Sequence, residues 1–231
     1  LLGENGSGKT TLMNMLSGIY YPDYGEIFVN GEHVSIRSPR DAYNLHIGMI
    51  HQHFKLVDVL TAAENIILGL PGGMTVDRNK LAGEIRDISH RYGFEIAPNK
   101  KIYDMSVSEK QTVEIVKMLY RGANILILDE PTAVLTPQET DRLFDILRAM
   151  KADGKAIVII THKLNEVLAI SDRVTILRKG KYIDTISTAQ ASIQSLTEGM
   201  VGRAIKLEIE RPEPADLGLK LQVKNLTCFD R

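Results

Sequence analysis

The sequence predicts an α/β fold, a parallel sheet covered by helices on both faces. Three observations predict it. Gly3-Glu4-Asn5-Gly6-Ser7-Gly8-Lys9-Thr10 is a glycine, four free positions and then Gly-Lys-Thr, a loop that joins a strand to a helix and wraps phosphate. Ile125-Leu126-Ile127-Leu128 and Ala156-Ile157-Val158-Ile159-Ile160 are unbroken apolar runs, the pattern of strands buried on both faces. Helical stretches alternate with these runs, as in a doubly wound sheet.

The elements follow in order. Leu1-Leu2 closes a strand, and residues 11–18 form a short amphipathic helix ending at Gly18. Residues 25–31 read as a short strand turned by Asn30-Gly31. Ile47-Gly48-Met49-Ile50 is a buried strand leading into His51-Gln52-His53. Thr61 with Glu64 is a capping box opening a helix to about Leu68, and residues 77–92 have helical spacing before Gly93. Ser106 with Glu109 is a second capping box, opening a helix that stops near Gly122. Thr136 with Glu139 is a third, with Pro137 at the first helical position. A helix follows Thr161-His162, then a strand over 174–177, and a Lys179-Gly180 turn leads to Tyr182-Ile183-Asp184. From Ile205 the chain is charged and proline-bearing, a linker over 205–217, and residues 219–223 alternate as a half-buried strand.

Composition narrows the class. The 231 residues carry a formal net charge of −1, with 44% hydrophobic and 25% charged side chains. That balance suits a globular domain and gives no footprint for a general nucleic-acid partner. Cys228 is the single cysteine, which excludes an internal disulfide and a cysteine-cluster zinc site. No apolar run approaches the roughly 18 residues of a membrane span.

The chemistry-bearing residues sit where a doubly wound sheet places its ligand, at the carboxyl ends of strands. Gly3, Asn5, Gly6, Ser7 and Gly8 turn backbone N–H groups toward phosphate oxygens, and Thr11 continues into the helix whose N-terminus faces the anion. Lys9 reaches the β- and γ-phosphates of a nucleotide, and the Thr10 hydroxyl is placed for Mg²⁺. Asp129 ends an apolar strand and is the second expected Mg²⁺ holder. Glu130 beside it is the candidate to polarise an attacking water, while Gln52 and His162 are candidates to sense the γ-phosphate, Gln52 also at the metal. His51 and His53 flank Gln52 without the carboxylate or cysteine company of a metal pair.

This order of motifs resembles an ABC transporter ATPase through nearly the whole chain: the phosphate loop, Gln52 after a strand, Ser106-Val107-Ser108-Glu109-Lys110-Gln111, Asp129-Glu130-Pro131-Thr132 and Ile160-Thr161-His162. Ala133-Val134-Leu135-Thr136-Pro137, Thr161-His162-Lys163-Leu164 and Met200-Val201-Gly202-Arg203 are most similar to the ATP-binding subunits of bacterial simple-sugar and nucleoside importers. The resemblance implies a P-loop NTPase (RecA-like) cassette over residues 1–204, with a helical subdomain at about 54–114 and the opening strands missing. It implies a second cassette in the same full-length polypeptide, whose first strand lies in 218–231. ATP and Mg²⁺ are the implied cofactors. Ser106, Ser108 and Glu109 are implied to face the ATP held by the opposite cassette. The implied partners are transmembrane permease subunits and, indirectly, an extracytoplasmic substrate-binding protein. The implied place is the cytoplasmic face of a bacterial membrane.

Two departures stand out. Ser108 replaces the family's usual glycine, where a Cβ crowds the approach of backbone to phosphate, and Thr112 replaces the usual arginine. A slow composite site, or a regulatory half with a degenerate signature, is therefore a second reading. A soluble, non-transporting ABC ATPase is a third. Neither a long coiled-coil insertion nor a strongly basic linker supports it.

Overall fold

The computed structural model describes residues 1–70, 77–203 and 221–227. Helix α1 (Lys9–Leu16) starts on the phosphate loop, because Gly8 takes a left-handed φ of 95° and turns the chain into it. Strands β1 (Ile27–Val29) and β2 (Glu32–Val34) form an antiparallel hairpin across Asn30 and Gly31, both at positive φ. Helix α2 (Pro39–Asn44) is an addition to the sequence reading. Its signal is Ser38, whose side chain accepts from the Asp41 N–H, followed by proline in the first turn.

Strand β3 (Ile47–Ile50) is buried at all four positions. A helical region follows, with α3 (Ala62–Ile67), α4 (Arg78–Tyr92) and α5 (Val107–Tyr120). Ile66, Leu81, Ile85, Ile102, Val113 and Val116 share one apolar cluster there. Strand β4 (Ile125–Asp129), helix α6 (Pro137–Ala152), strand β5 (Ala156–Ile160) and helix α7 (Leu164–Ile170) continue the alternation. Strands β6 (Arg173–Arg178) and β7 (Lys181–Ser187) precede helix α8 (Ile193–Val201), which the sequence reading also lacked and which Ser192 caps. All three expected capping boxes form, at Thr61, Ser106 and Thr136.

Strands β3, β4 and β5 pair in parallel in that order. Strand β4 is apolar from Ile125 to Leu128 because both its faces are covered. Leu126 and Leu128 pack with the helical region and α6, while Ile127 packs with Met13 of α1. Leu2 bridges in parallel to Thr161 and to Ile176, so two residues of chain tie β5 to β6. Strand β7 runs antiparallel to β6, since the short Lys179–Gly180 turn leaves no length for a crossover. An apolar cavity of about 710 Å³ lies between β5 and β6, lined by Leu1, Phe144, Ile157, Ile159 and Val174.

The expected linker over 205–217 lies outside the described residues. Of the expected strand over 219–223, residues 221–223 are described and form no strand, with Leu221 and Val223 exposed. An alternating segment becomes a strand only when a neighbour buries its apolar side, and no described residue pairs with this one.

Candidate nucleotide-binding site

The parallel register of β3, β4 and β5 brings three loops to one end of the sheet. A cleft of about 380 Å³ opens there, lined by Asn5, Gly6, Gly8, Lys9, Thr10 and Thr11 from the first loop and helix. Gln52 follows β3, Asp129 ends β4 with Glu130 beyond it, and His162 follows β5, and all four line the same cleft. The strand-end expectation is met by position, because parallel strands all present their carboxyl ends on one side.

Within the loop, Gly6 and Gly8 hold φ of 78° and 95°, conformations that L side chains rarely adopt. Lys9 is 6% exposed, and the carbonyls of Gly3 and Glu4 accept its Nζ at 2.7 and 2.9 Å. Burial pushes the Lys9 ammonium below its ordinary pKa, while the charges of Glu130 and Asp129 act the other way. Thr10 Oγ1 donates to Asp129 Oδ2 at 3.0 Å, so the hydroxyl and the carboxylate stand side by side at the mouth of the loop.

Glu130 has a φ of 49°, and its N–H donates to the Ile160 carbonyl at 2.9 Å. A non-glycine residue held in this region is strained and over-determined by its surroundings. His162 Nδ1 lies 2.9 Å from Glu130 Oε1, and Glu130 Oε2 is buried with no hydrogen-bond partner among the described residues. His51 is depressed below its ordinary pKa, first by burial and then by Lys55, against the pull of Asp129.

Gly3 and Ser7 do not line the cleft. A Cβ at Gly3 would sit 2.4 Å from the Leu177 carbonyl oxygen, and Ser7 is buried. Ser106, Ser108 and Glu109 line a different cleft, of about 580 Å³, with Tyr92, Glu139 and Arg142. Within this chain they are therefore not brought to the phosphate loop. Ala133 lines the first cleft and was not anticipated from sequence, having no side-chain chemistry to signal it. Two supports were also missed: Gln111 Nε2 donates to the Pro131 carbonyl at 2.8 Å, and Thr132 Oγ1 donates to Glu166 Oε2 at 2.6 Å beside Lys163. Their partners are far apart in sequence, so no local pattern announces them.

A family model described as ABC transporter matches residues 1–133. The chain is 52% identical over 232 aligned positions to the guanosine import ATP-binding protein NupO of Bacillus subtilis, covering 100% of the chain and 46% of that protein. It is 48% identical over 228 positions to the nucleoside import ATP-binding protein NupA of Lactococcus lactis, covering 98% and 45%. A ribose import ATP-binding protein of Streptomyces avermitilis is 43% identical over 98% of the chain and 44% of that protein. The chain thus spans about half the length of these curated relatives. Among solved structures, the ATP-binding cassette MJ1267 in its ADP conformation superposes with a TM-score of 0.75 at 22% identity, covering 87% of this chain and 86% of that one. CbiO1 of Clostridium perfringens, part of an ABC transporter complex, superposes at 0.70 with 26% identity, covering 87% and 79%.

Proposed function

The chain belongs to the ABC transporter family, and from that premise we propose that it is the ATP-hydrolysing cassette that powers import of a nucleoside or a simple sugar. The observation that carries this reading is one cleft lined together by Lys9, Thr10, Gln52, Asp129, Glu130 and His162, in a chain 52% identical to a guanosine importer subunit.

In this reading the N–H groups of Asn5, Gly6, Gly8 and Thr11, which line the cleft, hold the phosphates of ATP, with the Gly3 carbonyl tethering Lys9 as their point charge. A magnesium ion fits beside Thr10 and Asp129, whose oxygens lie 3.0 Å apart and are the hard donors it takes. When bound it neutralises charge on the β- and γ-phosphates. Glu130, whose carboxylate lines the cleft, accepts a hydrogen bond from the attacking water. His162 fixes the carboxylate through Oε1, and Gln52 orients the γ-phosphate side.

Ser106, Ser108 and Glu109 complete the site of a second cassette, since they open α5 at the positive end of its dipole, with the Ser106 and Glu109 N–H groups held in the capping box. That cassette belongs to the same full-length polypeptide, a reading supported by the half-length match to the curated relatives. Val57, Val59 and Tyr103 form an exposed apolar surface on the helical region, held together by the Tyr103 N–H donating to the Asp58 carbonyl. Such a patch suits docking of transmembrane permease subunits. No helix among the described residues is long and apolar enough to cross a membrane itself. The protein then sits peripherally on the cytoplasmic face of a bacterial membrane, with an extracytoplasmic binding protein delivering substrate.

Ser108 favours a second reading, in which the site completed by this signature hydrolyses slowly and regulates the other. The deciding experiment is reconstitution of the full-length protein with transmembrane permease subunits. ATP-dependent uptake of labelled nucleosides or simple sugars is the expected result. ATP turnover without uptake of either class overturns the importer reading.

A further inference from the structure

Three buried polar side chains grip the loop that carries Gln52. Residues 52–57 lie outside helix and strand, so their peptide groups need partners other than a ladder. Both peptide groups of Lys55 face side chains of α5. Its N–H faces the Glu114 carboxylate and favours its charged form, and its carbonyl accepts Lys117 Nζ at 3.1 Å. Val57, two residues on, is held the same way by Asn65 of α3. Its N–H donates to Asn65 Oδ1 at 2.7 Å, and its carbonyl accepts Asn65 Nδ2 at 3.1 Å. The same amide donates to the Thr61 carbonyl at 3.0 Å.

These are costly groups to bury for stability alone. Asn65, Glu114 and Lys117 are 0%, 1% and 8% exposed. Glu114 and Lys117 stand 3.7 Å apart, and Glu114 Oε1 makes no hydrogen bond among the described residues. A buried ion pair gains little over apolar side chains of similar volume, and its attested use is to fix one arrangement against others. Here the fixed object is a stretch of backbone beginning three residues after Gln52. The segment from Lys55 onward is thereby tied to α3 and α5, with His53 and Phe54 the two residues between it and Gln52.

We infer that Glu114, Lys117 and Asn65 are positioning residues for Gln52, setting its reach into the phosphate cleft by clamping the peptides of Lys55 and Val57. The inference rests on the proposed role of Gln52 in ATP turnover.

The test is a double-mutant cycle in the full-length protein, read as kcat and KM for ATP. Lys117→Met keeps the bulk and removes the donor. It is expected to lower kcat about ten-fold with KM changed less than about two-fold, as a small misplacement of a reacting group does. Lys117→Arg, which keeps the cation, is expected to recover most of that loss. In a Gln52→Ala background, Lys117→Met is expected to change kcat by less than about two-fold, because the residue being positioned is gone. An equal fractional loss in both backgrounds, or an unchanged kcat in the first, overturns the inference. If Lys117→Met does not fold by circular dichroism, Asn65→Asp, which keeps the acceptor and loses the donor, runs the same cycle under the same criteria. If Gln52→Ala itself turns over like wild type, the role of Gln52 falls and the inference with it. A slow Gln52→Ala with an additive Lys117→Met sinks the inference alone.

Discussion

His162 Nδ1 and Glu130 Oε1 lie 2.9 Å apart, across the ends of two neighbouring parallel strands. The contact exists because the Glu130 N–H donates to the Ile160 carbonyl and holds Glu130 at a φ of 49°. One carboxylate oxygen is thereby committed to the histidine, and the other is buried with no hydrogen-bond partner among the described residues.

Glu130→Gln keeps the shape and removes the charge. ATP turnover is expected to fall by about 10²–10⁴-fold, the range for loss of a general base, with ATP affinity little changed. Single-turnover hydrolysis by the full-length protein measures it. A variant as fast as wild type removes Glu130 from the chemistry.

Asp129→Asn weakens the partner of the Thr10 hydroxyl. The Mg²⁺ concentration for half-maximal turnover is expected to rise about ten-fold or more. ATP binding in excess chelator is expected to match wild type. An unshifted Mg²⁺ dependence would separate Asp129 from the metal.

Gly18→Ala tests a packing constraint outside the cleft. Gly18 has a φ of 74°, and an added Cβ would sit 2.1 Å from the Ser38 carbonyl oxygen. The combined strain and clash are expected to cost about 1–3 kcal/mol, lowering the thermal midpoint by several degrees. Gly25→Ala, at a φ of 102° with nothing within 4 Å, bears the backbone strain alone and is expected to cost less. Equal shifts for the two variants would assign the whole effect to φ.

Glu109 gives a pH signature. Lys100 beside it, and then the Ser106 N–H, hold its carboxyl below the ordinary value of 4.5. A carboxyl depressed in the folded state contributes stability above its unfolded pKa and loses it as pH falls through the folded one. Wild type is therefore expected to exceed Glu109→Gln in urea midpoint at neutral pH, with the gap closing as pH drops below about 4.5. A gap unchanged down to about pH 3 would mean that the carboxylate charge adds nothing.

Ser108→Gly tests the slow-signature reading. Removing the Cβ is expected to raise ATP turnover of the full-length protein about two-fold or more, despite the helix-propensity cost of glycine. Unchanged rates would leave Ser108 a harmless substitution.

Much of this was legible because it is local. A capping box spans four residues, so Thr61, Ser106 and Thr136 declare helix starts without reference to the rest of the chain. The phosphate loop is contiguous, and unbroken apolar runs mark strands covered on both faces. Short helices escaped where the signal is a single cap and one turn of periodicity, as at Pro39–Asn44. In the alternating segment beyond residue 218, the described residues 221–223 are unpaired, because period alone shows a face that needs burying, and not what buries it.

By itself the sequence determined the longer elements, the three capping boxes, the phosphate-binding loop and the identity of the groups at the strand ends. Only the tertiary structure decided that Leu2 joins β5 to β6, that Glu130 shares its carboxylate with His162, and that Lys55 and Val57 are held by Asn65, Glu114 and Lys117. The reason is range. Turns and caps are set by neighbours within a few residues, whereas these contacts join residues brought together only when the sheet and the helical region pack, and burial then makes each unpaired polar group costly.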